Sequence, residues 1–262
     1  MKRSYSNQMV RRNWLVTLLT VVGLATSVAA QAACIVSDSA GTADLPPVGC
    51  TYDTPDVPVP NNDLFIIDGL PVGTFIQMDS ALHSFFNIVA GPGGGLGGEA
   101  ETYQALLDMP MIGNGLLAGF NRNIVMPLSA VESHSAPRVP GTTPQSFPTD
   151  MFQLQGHIIG DPDFDLLRIT AGTGFGMPSP GHTTLTRLGP PGSNWSVDSF
   201  FDIEYRIDFV GAPGGPLSGR SGSTTRKARF VIGGKVPEPG SCLLFVSGAI
   251  GLCVGRRRRV CA

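Results

Sequence analysis

Between residues 199 and 210 the chain changes character at every position. Phe201, Ile203, Tyr205, Ile207 and Phe209 occupy one set of alternate places, and Asp202, Glu204, Arg206 and Asp208, with Phe200, occupy the other. A β-strand turns successive side chains to opposite faces, so a period of two makes one face apolar and the other wet, as in an antiparallel sheet solvated on one side. The same reading extends to residues 64–68, 74–79, 101–108, 116–126, 151–159, 164–171, 183–188 and 224–232, with turn residues at short intervals and almost no helical periodicity. About nine or ten strands over some 200 residues predict an all-β domain at residues 34–235, an antiparallel β-sandwich or jelly roll.

Composition agrees with many turns and few helices. Glycine and proline number 34 and 22 among 262 residues, without the Gly-X-Y period of collagen, and the 42% apolar share suffices for a core. Prolines cluster at residues 54–60, read as an extended edge segment, and at 135–148, read as a long crossover within one domain, with two smaller β domains as the alternative. The run Gly91-Pro92-Gly93-Gly94-Gly95-Leu96-Gly97-Gly98 reads as the most mobile segment.

The two ends of the chain are unlike its middle. Lys2, Arg3, Arg11 and Arg12 precede an apolar run over residues 14–28, and Ala30-Gln31-Ala32 fits a cleavage site, so residues 1–33 read as a secretory signal peptide. An uncleaved anchor, a twin-arginine signal at Arg11-Arg12 and an acylated Cys34 are the alternatives. At the other end, Val236-Pro237-Glu238-Pro239 is followed by an apolar stretch over residues 242–254 and then by Arg256, Arg257, Arg258 and Arg259. Two prolines around one acid keep a segment extended and accessible. Leu243, Leu244, Phe245, Val246, Ile250, Leu252 and Val254 supply hydrocarbon, and the arginines stop translocation and hold the end in the cytoplasm. Residues 241–255 span roughly 22 Å as a helix, short of a bilayer core of about 30 Å, a deficit that arginine snorkelling and local thinning cover.

In this order, the three elements of residues 236–259 closely resemble the PEP-CTERM sorting domain recognised by exosortases in Gram-negative bacteria. The resemblance covers about a tenth of the chain and implies a tripartite protein: signal peptide (1–33), ectodomain (34–235) and sorting signal (236–262). It implies export, brief anchoring in the inner membrane with the C-terminus cytoplasmic, recognition at Val236, Pro237, Glu238 and Pro239, tail processing, and delivery to the cell surface or the exopolysaccharide matrix. Exosortase, the export machinery and exopolysaccharide are the partners it suggests. Parts of the central segment, 160–169 and 174–185, resemble uncharacterised surface-protein domains of environmental bacteria, a likeness that implies no activity. Three of the five cysteines, Cys242, Cys253 and Cys261, belong to the tail. Cys34 and Cys50 remain in the exported part, where an oxidising compartment favours a disulfide; free thiols or a lipidated Cys34 are the alternatives.

Motifs for chemistry in the ectodomain are sparse. Asp161-Pro162-Asp163-Phe164-Asp165 places three carboxylates at alternate positions, a donor set suited to calcium, but Leu166 and Gly172 stand where an EF-hand needs Gly and an acid. A proline turn opening a strand is the competing reading; Asp198, Asp202 and Asp208 read as solvated. The glycine run lacks the lysine and helix of a phosphate loop, Gly219-Arg220-Ser221-Gly222 lacks nucleophile-elbow spacing, and His83, His134, His157 and His182 are scattered, with His157 read as a packed strand residue. Trp195, Tyr205, Tyr103 and Tyr52 are aromatic candidates for sugar contact, with Trp195 read either as exposed in the loop after Gly192-Ser193-Asn194 or as a core-edge residue. Arg226, Lys227 and Arg229 form a small basic patch, read as strand charges.

The near-neutral net charge of −2 conceals a leader of +4, an ectodomain of −9 and a tail of +3. An acidic ectodomain gives no reason for a nucleic-acid partner. The expectation is therefore a non-catalytic surface or matrix protein, structural or polysaccharide-binding, without a required cofactor. A secreted carbohydrate-active enzyme and a calcium-stabilised adhesion domain are the alternatives.

Overall fold

The computed structural model describes residues 34–55 and 63–232, so the signal peptide, most of the first proline cluster and the sorting segment with its arginines lie outside the described residues. Among the described residues, no helix is long and apolar enough to cross a membrane.

The described chain forms strands β1 (Cys34–Val36), β2 (Asp38–Ser39), β3 (Thr42–Ala43), β4 (Tyr52–Asp53), β5 (Leu64–Ile66), β6 (Phe75–Met78), β7 (Ala81–Pro92), β8 (Glu99–Asn114), β9 (Asn121–Ser135), β10 (Gln145–Ile159), β11 (Phe164–Ala171), β12 (Pro180–Arg187), β13 (Trp195–Gly211) and β14 (Ser221–Ile232). Each pairing between them is antiparallel. The all-β, antiparallel architecture is the expected one, and the ladders continue round a closed circuit: β8, β9, β10, β11, β13, β14, β4, β7 and back to β8. Closure pairs edges that an open sheet would leave free. β12 and β11 share one place in the circuit, β12 beside residues 145–150 of β10 and β11 beside residues 154–159.

At the other end of β14, side chains take the place of ladder bonds. Thr224 Oγ1 accepts from the backbone N–H groups of Ile67 and Asp68, each at 2.9 Å, and Tyr205 Oη accepts from Phe65 N–H at 2.8 Å. The backbones approach so closely here that a Cβ on Gly222 would lie 1.9 Å from Asp68 O, and one on Gly69 2.0 Å from Ser221 O. Only glycine permits that approach.

One hydrophobic core lies inside the circuit. It includes Leu107 and Met126 before the proline-rich stretch at 135–148 and Leu167, Ile207 and Trp195 after it, so both halves contribute to the same core. That stretch is shorter than the crossover the prolines suggest. β9 runs to Ser135 and β10 begins at Gln145, and Pro148 sits within β10 opposite His182. The predicted strand at 116–126 is also corrected. Gly115–Leu117 is a 3₁₀ turn, and β9 starts only at Asn121.

The N-terminal segment packs onto one end of this core, with Ala43 and Leu45 buried. A disulfide joins Cys34 to Cys50. Arg138 donates to Ala43 O at 2.7 Å and to Thr42 Oγ1 at 3.1 Å, and pairs with Glu99. Gln145 Nε2 donates to Gly41 O at 2.9 Å, which adds a second tie from β10.

The glycine run at 91–98 is better anchored than its composition suggests. Gly93 N–H donates to Gly98 O at 2.9 Å, Gly98 N–H to Ser135 O at 3.1 Å, and Gly95 N–H to His134 Nδ1 at 3.1 Å. The His134 ring stacks on Phe152 at 4.4 Å and donates from Nε2 to Glu132 Oε1 at 2.9 Å.

Candidate functional site

The structure brings two of the three aspartates of the 161–165 motif together, but around an arginine. Arg122, reaching across from the start of β9, donates Nη2 to Asp161 Oδ2 at 2.9 Å and Nη1 to Asp163 Oδ2. Asp161 Oδ1 also accepts from Asp163 N–H at 2.9 Å, closing a turn before β11. Asp165 points outward from the strand. The calcium expectation for Asp161, Asp163 and Asp165 is therefore corrected: the guanidinium supplies the positive charge, and among the described residues no group of three His, Cys, Asp or Glu could hold a metal. Sequence reasoning missed Arg122 because it lies 39 residues upstream of Asp161.

The aromatic candidates are also corrected. Trp195 is fully buried, its Nε1–H donates to Asp38 Oδ1 at 2.7 Å, and Arg187 lies over its ring at 4.5 Å. Tyr52, Tyr103 and Tyr205 are buried as well, and burial pushes all three hydroxyls above their ordinary value. These four residues form core and cannot stack on an external sugar. His157, read as packed, lies in β10 opposite Arg168 with its side chain exposed.

Elsewhere a single acid is held between two cations. Asp208 accepts from Arg168 at 2.8 Å and Arg206 at 3.2 Å. Burial opposes its ionisation, but hydrogen bonds from Ser223 and Arg168 and the charge of Arg206 outweigh burial and hold its carboxyl below the ordinary value. A serine and a histidine do meet, unforeseen from the sequence: Ser146 Oγ lies 2.7 Å from His182 Nε2 and 3.1 Å from Thr184 Oγ1. All three are cross-strand neighbours on the outer face of β10 and β12. With the His182 imidazole on one side of Ser146, the Thr184 hydroxyl on the other and no acid in the set, they read as a hydrogen-bonded ladder.

Inside the barrel stands one acid the sequence reading did not single out. Glu101, 2% exposed, faces inward from β8 opposite Ser133, whose Oγ donates to Glu101 Oε2 at 3.4 Å, while Oε1 has no partner. Burial pushes its carboxyl up to about 7, and the Ser133 hydrogen bond only partly opposes this. Its position inside the wall keeps it from any external substrate.

A groove of about 940 Å³ lies across the outer face of β13 and β14, in the size range of small-molecule sites. Pro178, whose carbonyl accepts from Glu204 N–H at 3.2 Å, borders it beside β13, and Asp68 borders it beside β14. On its floor Arg229 grips Asp202 through two hydrogen bonds of 2.6 Å, and its guanidinium lies 4.4 Å over the ring of Phe200. The Asp202 hydrogen bonds raise the Arg229 guanidinium above its ordinary value. Lys227 Nζ lies 3.8 Å from Glu204 Oε2, and Thr225 adds a hydroxyl. All three residues of the sequence patch Arg226, Lys227 and Arg229 line the groove: Lys227 and Arg229 are paired with acids on its floor, and Arg226 stacks over Phe65 at 5.4 Å. Donors and acceptors side by side, with charge nearly balanced, suit a ligand carrying neighbouring hydroxyl groups. No family model matches this chain, and neither a curated protein nor a solved structure is found to be similar to it.

Proposed function

We propose that this is an exported, exosortase-sorted protein of the cell surface or exopolysaccharide matrix, whose β domain binds polysaccharide without catalysis. The observation that carries the reading is the ordered tail: Val236-Pro237-Glu238-Pro239, an apolar stretch, then Arg256 to Arg259, behind an N-terminal leader. Each part has its own physical task, respectively accessibility, membrane insertion and arrest of translocation. The segment holds the C-terminus in the cytoplasm until exosortase acts at the Pro-Glu-Pro motif. The groove on β13 and β14 supports the polysaccharide half of the reading, because its paired Arg229–Asp202 floor offers hydrogen bonds to a polyhydroxyl chain without a strong net charge.

The experiment for the binding half is co-sedimentation of the full chain with exopolysaccharide purified from the bacterium that makes it. Wild type is retained, and Arg229→Ala with Lys227→Ala lowers retention. Retention that is unchanged in the double variant, or absent in wild type, overturns the assignment of the groove.

A further inference from the structure

Five register irregularities meet about half-way round the barrel from that groove. β7 slips against β8 between His83 and Phe86 and again between Phe86 and Val89, β8 slips against β9 between Tyr103 and Ala105, and β10 slips against β9 between Met151 and Gln153 and again between Gln155 and Gly156. In β7, Ser84 and Asn87 hold φ values of 55° and 53°. Bulges re-aim side chains and gather beside functional sites, where left-handed non-glycine residues also cluster.

These irregularities surround a pocket of about 400 Å³ on the outer face of β8, β9 and β10. Its polar lining includes the carboxamides of Asn87, Gln104 and Gln153, the Thr102 hydroxyl and the Glu132 carboxylate, with no lysine or arginine. Asn87, which holds the left-handed backbone conformation, donates from Nδ2 to Gln104 Oε1 at 2.6 Å. Phe86 stands opposite Gln104 in the β7–β8 register and is 44% exposed.

We infer that this pocket is a second carbohydrate site, taking an uncharged pyranose unit. Each carboxamide presents a donor and an acceptor in one plane, which matches two adjacent sugar hydroxyls. Phe86 does not line the pocket itself, but from its place opposite Gln104 at the margin its ring offers an apolar surface for the C–H face of the sugar. Glu132, already paired with His134, can accept from one more hydroxyl, and its charge disfavours a uronate. The inference rests on the carbohydrate reading above but uses none of the groove residues. Two sites on opposite walls let one molecule bridge two polymer strands, so that binding to a shared matrix gains from effective concentration.

The test is titration of the ¹⁵N-labelled full chain with glucose, galactose, mannose and glucuronate, followed by amide shifts. A neutral sugar moves the amides around Phe86, Asn87, Gln104 and Gln153, and Gln104→Ala and Phe86→Ala each weaken that binding about tenfold. Both side chains are at least partly exposed, and an unchanged Tm confirms that the variants are folded. Shifts confined to β13 and β14, a preference for glucuronate, or no shift with any neutral sugar overturns the second site. The first two of these outcomes leave the polysaccharide reading of the groove standing, whereas failure of co-sedimentation alone leaves the second site standing.

Discussion

Replacing Glu101 by glutamine removes a carboxyl buried in the barrel wall, and the size of the effect follows from its burial. The folded protein holds this carboxyl up to about 7, whereas an ordinary glutamate sits at 4.5. Between those values the folded chain binds a proton that the unfolded chain has released, so stability falls as pH rises. The contribution is fully present below the unfolded value and is lost as pH passes the folded value. The difference amounts to about 3 kcal/mol, from roughly 1.4 kcal/mol for each tenfold change in proton affinity. For a domain of this size that is about 6–12 °C in Tm. Urea unfolding of wild type and Glu101→Gln across pH 4.5 to 8, the range set by the carboxyl's own values, is the assay. Other titrating groups contribute equally to both proteins, so the quantity to read is the difference between the two curves. That difference moves in favour of the variant by about 3 kcal/mol between the acidic and alkaline ends. Parallel curves would refute the reasoning, because they would mean that Glu101 finds solvent or a cation in the folded state.

Three further outcomes follow from the geometry. Arg122→Ala leaves Asp161 and Asp163 facing each other without their cation and costs about 2 kcal/mol, read as a lower urea midpoint; calcium and a chelator give wild type the same Tm, since the arginine already neutralises the motif. Cys50→Ala opens the loop closed onto Cys34 and costs about 3 kcal/mol by loop entropy, with hydrogen exchange rising first across residues 38–45. Gly94→Ala places a Cβ 2.8 Å from the His134 ring at a φ of 80°, costs about 1–2 kcal/mol, and speeds amide exchange of Gly95 and Gly98.

The alternation at 199–210 made β13 legible, and it contained more than was read from it. Carried back by the same period, the apolar set passes through Val197 to Trp195, which places the tryptophan inside the barrel, where the structure has it. The neighbouring Gly192-Ser193-Asn194 obscured that inference by suggesting a loop. β7 was missed for the opposite reason: two bulges break its period, and its exposed stretch ends in glycine and proline. Closure of the circuit was not legible, because it depends on two-residue contacts of β4 and on Thr224 standing in for ladder bonds. The same limit applies to sites. Arg122 with Asp161, Ser146 with His182, and Asn87 with Gln104 are separated by 39, 36 and 17 residues, and only the register brings them together.

The proposed function requires that the chain be carried to the surface and sorted at its Pro-Glu-Pro motif. Fractionation of cells expressing wild type, or a variant with Pro237, Glu238 and Pro239 all changed to alanine, tests it most directly. Wild type is expected in the surface or matrix fraction with a shortened C-terminus, and the variant at full length in the inner membrane. Identical location and identical size for the two proteins would contradict it.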